Sequence, residues 1–197
     1  MGAILQSLGR TVTAGVVLLI IIIILAGALT GHFVSPDMGW STFFMRWLHV
    51  MSGVMWIGLL WYFNFVQIPS MPKIPDEQKP AIGKVIAPTA LFWFRWGAAA
   101  TVVTGLLLAG MSGYIVQALT FRPGFHGIGI GMWLALIMAY NVWFIIWPNQ
   151  KKALGIVQVA ADEKAKAARL AMLTSRVNTM LSIPMLYCMV GQSHGGF

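Results

Sequence analysis

The sequence predicts an all-α integral membrane bundle of five transmembrane helices, with the N-terminus cytoplasmic and the C-terminus outside. Three observations carry this. The 197 residues are 58% hydrophobic and only 9% charged, with a mean hydropathy of +0.79, whereas soluble domains carry about 25% charged residues. The apolar residues fall into runs of about 20, the length needed to cross a bilayer core. The 13 Lys and Arg are confined largely to the short stretches between those runs. That distribution assigns the net charge of +8 to membrane topology and excludes nucleic acid as a partner. The bilayer itself is the first partner, and all of 1–197 is read as one membrane domain.

The first span, about 11–30, is free of charge. Its apolar part is longer than the core of a signal peptide, which makes it an uncleaved helix. The second, about 42–67, opens with "RWLHVMSGVMWIG" and leads into the proline-rich loop "IPSMPKIPDEQKPAIGK". The third, about 88–113, holds Arg95 one to two turns inside it. The fourth, about 128–147, is closed by Pro148. Residues 150–173 are the strongly charged segment and are read as a helix on the cytoplasmic surface or an extension of the last span. The fifth span, about 176–193, is polar at both ends and contains Pro184. With the N-terminus inside, only Arg46 and Arg122 of the Lys and Arg face outward, a strong positive-inside bias.

On this topology His32, His49, His126 and His194 all lie towards the outer side. His32 is a loop residue. His49 sits about two turns inside the second span, where an imidazole is unusual. Arg46, His49 and Gly53 share one helical face. Haem b needs an imidazole ligand, flat apolar space and a cation near its propionates, and this face offers all three. Gly53 removes a side chain one turn below the histidine, and Arg46 stands one turn above it. A second axial ligand would come from another helix, His126 first and His194 second. The alternative is a packing histidine bonded to a neighbouring helix.

Other chemistries have little to work with. Asp37, Asp76, Glu77, Asp162 and Glu163 all lie outside the spans, which disfavours a carboxylate-based proton relay. There is no nucleophile elbow, phosphate loop or HExxH, and Cys188 is alone, so covalent haem c is excluded. The 13 methionines are scattered through the spans as packing residues rather than gathered as a copper site. Arg95, in "FWFRWG", is read as a snorkelling cation among aromatic rings, with a lipid or quinone head group as its functional alternative.

"RWLHVMSGVMWIG", "FWFRWG", "YNVWFIIWPNQKK" and "RVNTMLSIPMLYCMVGQSH" together resemble, in order, the membrane domain of bacterial membrane-bound urate oxidases. "LHVMSGVMWIG" and "RVNTMLSIPML" are more distantly similar to haem-dependent protoporphyrinogen oxidases and copper-resistance membrane proteins. The resemblance implies a multi-pass protein of the bacterial inner membrane with His49 as a haem ligand. In the urate oxidases a cytochrome c domain follows, and this chain shows none, which implies a separate redox subunit. The family also implies a histidine early in the fourth span. Here Gly129 takes that position, with His126 one turn earlier. Three functions follow as expectations: electron transfer through haem b in a respiratory complex; an oxidoreductase acting on urate, a related purine or a porphyrinogen; and a haem-free accessory subunit.

Overall fold

The computed structural model describes residues 2–197, and every described element is helical. The chain divides into two compact units, Met1–Phe43 and Phe44–Phe197. In the first, a single turn, Gly2–Leu5, precedes helix α1, Leu8–Thr30. Gly31 ends α1 in the left-handed conformation at φ 72°, and the Phe33 ring folds back onto Gly27, where a Cβ would lie 2.7 Å from it. The Asp37 carboxylate then accepts the backbone N–H of Trp40 at 2.8 Å, capping the start of the next helix.

The remaining helices are α2 (Met38–Lys73), α3 (Lys79–Met111) and α5 (His126–Ala153), the short α4 (Ile115–Leu119) and α6 (Ala161–Gly191). Of these, α1, α2, α3 and α5 are long and apolar enough to cross a membrane. Three π-helical stretches interrupt the long helices, Tyr62–Gln67, Ile82–Ile86 and Asn141–Ile146. Each is followed within two residues by a proline, Pro69, Pro88 or Pro148. A proline has no N–H and its ring clashes with the carbonyl four residues earlier, so the preceding turn widens instead of breaking.

Two expectations change. The proline-rich loop shrinks to 74–78, because Pro69, Pro72 and Pro80 stand in first-turn positions of helical segments. Residues 150–173 are not one surface helix; from residue 161 they follow the other reading, an extension of the last helix. Gly155, at φ 75°, divides them, and Ala161 begins a 31-residue helix that continues to Gly191. The Lys152–Glu163 ion pair, 2.6 Å, clasps the turn.

The core of the second unit is built from Trp56, Leu60 and Phe63 of α2, Leu91, Phe94 and Ala98 of α3, Met138, Val142 and Ile146 of α5, and Met185 of α6. Small residues let the backbones approach. A Cβ on Gly97 would lie 3.2 Å from the backbone nitrogen of Trp56, and one on Gly131 would lie 3.0 Å from the Cβ of Cys188. Cys188 is thus a buried packing residue.

The inner face of α6 is a stripe of Ala167, Ala171, Ser175, Asn178, Ser182, Met185, Cys188 and Gly191. Its polar members bond across the bundle. Asn141 Nδ2 donates to Asn178 Oδ1 at 2.8 Å, Asn178 Nδ2 to the Met138 carbonyl at 2.9 Å, Trp61 Nε1 to Ser182 Oγ at 3.0 Å, and Asn64 Nδ2 to Ser175 Oγ at 2.8 Å.

Candidate functional site

Between α2, α3, α5 and α6 of the second unit lies a cavity of about 970 Å³, at the large end of the range for ligand pockets. Its walls are mostly apolar, with Trp56, Ile57, Met132, Ala135, Met185 and Met189 among them. Polar groups come from Arg46, His49, Tyr114, Gln192, Ser193 and His194.

His49 is half-buried on the wall. Its Nδ1 lies 2.9 Å from the Thr101 carbonyl and 3.2 Å from Thr104 Oγ1. A carbonyl can only accept, so Nδ1 carries the proton and Nε2 keeps its lone pair. Nε2 makes no hydrogen bond among the described residues. The ring lies against Gly105, whose added Cβ would sit 2.8 Å from His49 Cε1. Two features of α3 therefore fix the ring: a carbonyl that sets its tautomer and a glycine that gives it room. Sequence reasoning singled out neither, although Gly105 was visible as a small residue in an apolar run.

Gly53 behaves differently. It lines the same cavity, and a Cβ there meets nothing within 4 Å, so the space beside His49 is open. Arg46 reaches the cavity from one turn above and is exposed. Burial lifts the Tyr114 phenol above its ordinary pKa, opposed by the nearby Arg46 charge, so the phenol remains a neutral donor at physiological pH.

The second histidine lies three residues beyond the end of α6. His194 lines the cavity, and its Nδ1 lies 2.9 Å from the Val190 carbonyl. It therefore repeats the His49 arrangement, with Nε2 left over. His126 begins α5, is exposed and does not line the cavity. Gly129 has no room for a side chain at all, because its Cβ would run into the Ala118 carbonyl where α4 crosses α5. The structure thus brings together Arg46, His49, Gly53 and His194 and leaves His126 outside. His32, in the other unit, bonds the Thr30 carbonyl at 2.8 Å.

Haem b calls for an oriented imidazole, open apolar space and a nearby cation. A metal-bound imidazole characteristically gives its other N–H to a carbonyl, as His49 does. Gly53 opens onto unfilled cavity space beside the ring, and an arginine stands at the mouth. The residues fit. Among the described residues no group of three or more His, Cys, Asp or Glu could hold a bare metal ion. One further wall residue is unusual: Trp56 is wholly buried, and its indole N–H has no acceptor.

No curated protein and no solved structure matches the chain. Residues 111–196 match the family model described as Urate oxidase N-terminal, the family that the sequence motifs resemble.

Proposed function

We propose that this protein binds haem b in the cavity beside His49 and carries electrons near the outer face of the bacterial inner membrane, as a subunit of a larger redox complex. The observation that carries the reading is His49 itself: Nδ1 is committed to the Thr101 carbonyl at 2.9 Å, and Nε2 is left on a 970 Å³ cavity shared with His194 and Arg46. His49 and His194 would hold the haem iron, with His126 displaced from that role by its position outside the cavity. The Thr101 carbonyl fixes the His49 tautomer and prevents the ring from turning. Arg46 meets a propionate at the mouth. The apolar walls exclude water. Haem b, when bound, would supply one-electron chemistry, with a cytochrome c or another redox subunit as the partner.

The same reading counts α6 as a fifth span from about Arg176. Its polar residues Ser175, Asn178 and Ser182 are buried, while Val177, Met180, Ile183, Tyr187 and Val190 are exposed, a pattern suited to lipid outside and hydrogen bonds within. With the N-terminus inside, the cavity mouth faces outward and eleven Lys and Arg lie on the cytoplasmic side.

A reduced-minus-oxidised spectrum of the purified protein tests the haem assignment. A b-type band lost in His49→Ala is expected, and well-folded protein without the band overturns it.

A second reading, an oxidoreductase acting on urate, a related purine or a porphyrinogen, is favoured by the family match at 111–196. Turnover of urate with an added electron acceptor separates this reading from pure electron transfer.

A further inference from the structure

At the end of the second unit opposite the histidine cavity, two cations share one aromatic ring. The Arg95 guanidinium carbon lies 3.4 Å from the centroid of Trp147, and Lys151 Nζ lies 5.6 Å from it. Neither forms an ion pair among the described residues. The carboxylates Asp76, Asp162 and Glu163 are taken by Lys79, Lys166 and Lys152. The ring attracts each cation but neutralises neither. Arg95 Nη1, moreover, is buried without any hydrogen-bond partner, although a guanidinium stays charged at any physiological pH.

The depth of this pair is informative. Arg95 lies 16 residues before the end of α3 at Met111, about 24 Å along the axis. Trp147 lies 21 residues beyond the start of α5 at His126, about 32 Å along its axis. A hydrocarbon core is about 30 Å thick, so both residues fall near the membrane boundary remote from the cavity. Phe63 of α2, 5.8 Å from Phe94, brings that stretch of α2 to the level of the residue before Arg95. There Gln67 Oε1 of α2 and Gln150 Oε1 of α5 are also buried acceptors without partners. A buried unpartnered polar atom calls for an explanation, an unseen ligand among them. Two unneutralised cations call for an anion, and amide acceptors suit hydroxyl donors on the same molecule.

We propose that Arg95 and Lys151, held over Trp147, form a binding site for a phosphate anion, presented in the membrane as the headgroup of an anionic phospholipid. Arg95 Nη1 and Lys151 Nζ donate to the phosphate oxygens, as basic pockets between transmembrane helices do at the cytoplasmic leaflet. The site is independent of the haem cavity.

The test uses the full chain, purified in detergent, stripped of lipid, and followed by thermal unfolding. Dioleoyl phosphatidylglycerol should raise the midpoint, and dioleoyl phosphatidylcholine should not. Arg95→Gln and Lys151→Gln should each weaken the lipid response roughly tenfold, while Lys84→Gln, an exposed cation of α3, responds as the parent does. If Arg95→Gln does not fold, Lys151→Gln decides alone. An equal rise with inorganic phosphate, lost in the same variants, keeps the anion site and identifies free phosphate as its source. No rise with either anion, an equal rise with phosphatidylcholine, or an undiminished response in Lys151→Gln overturns the proposal.

Discussion

His49 of α2 donates its Nδ1 proton to the carbonyl of Thr101 on α3, 2.9 Å away. The Thr101 hydroxyl is itself turned back to the Gly97 carbonyl at 2.7 Å, so the carbonyl, not the side chain, does the orienting. The ring is held between that carbonyl and the bare backbone of Gly105. Thr101→Ala should therefore leave the haem spectrum nearly unchanged, whereas Gly105→Ala should displace the ring, since its Cβ would sit 2.8 Å from Cε1. The expected outcome for Gly105→Ala is loss of most bound haem at near-parental folding. Pyridine haemochrome content read against protein concentration checks it, and full occupancy in Gly105→Ala contradicts the orientation argument.

Gly53 makes the complementary prediction. A Cβ there meets nothing within 4 Å, so Gly53→Ala should fold and could gain a few tenths of a kcal/mol from helix propensity, up to about 1 kcal/mol. Gly53→Phe should fill the cavity beside His49 and exclude haem without unfolding the bundle. Haem content and unfolding midpoint, measured together on the two variants, should separate: haem falls with side-chain size while stability holds. A parallel fall in both would mean that Gly53 is a packing glycine.

Much of this was legible in the sequence, and the exceptions have physical causes. The Arg46–His49–Gly53 face follows from helical spacing, and the structure puts all three on one cavity. The second histidine was not decidable that way, because it depends on whether α4 leaves room over α5. The Ala118 carbonyl closes the Gly129 position, a long-range contact that no local pattern encodes. The last helix was hard to read for another reason. Its polar residues point into the bundle, and its exposed face carries Val177, Met180 and Ile183. Average hydropathy therefore underrates a helix that is polar on its buried side.

That buried polar seam can be measured. Asn178 is wholly buried, accepts from Asn141 Nδ2 at 2.8 Å and donates to the Met138 carbonyl at 2.9 Å. Asn178→Leu removes the acceptor of Asn141 Nδ2 and the side-chain donor to the Met138 carbonyl, at a cost of about 1–2 kcal/mol. Asn141→Leu with Asn178→Leu should cost less than the two singles combined, because the pair is lost together. Denaturant unfolding in mixed micelles gives the cycle. Strict additivity would show that the two amides are not coupled.

Gly129 supplies the sharpest steric test. Its added Cβ would meet the Ala118 carbonyl, a backbone atom that can move only if α4 moves, with Phe121 Cδ1 a further 3.1 Å neighbour. Gly129→Ala should cost about 1–3 kcal/mol, and Gly129→His more, because the imidazole has nowhere to go. Gly110, whose Cβ meets nothing within 4 Å, is the control: Gly110→Ala should be neutral or slightly stabilising. The comparison also bears on the second haem ligand. If α4 can swing aside, Gly129→His will fold, and the His194→Ala variant, depleted of haem, will regain it when Gly129→His is added. With the helix crossing as rigid as the close packing implies, the double variant will show neither a normal midpoint nor a recovered b-type band.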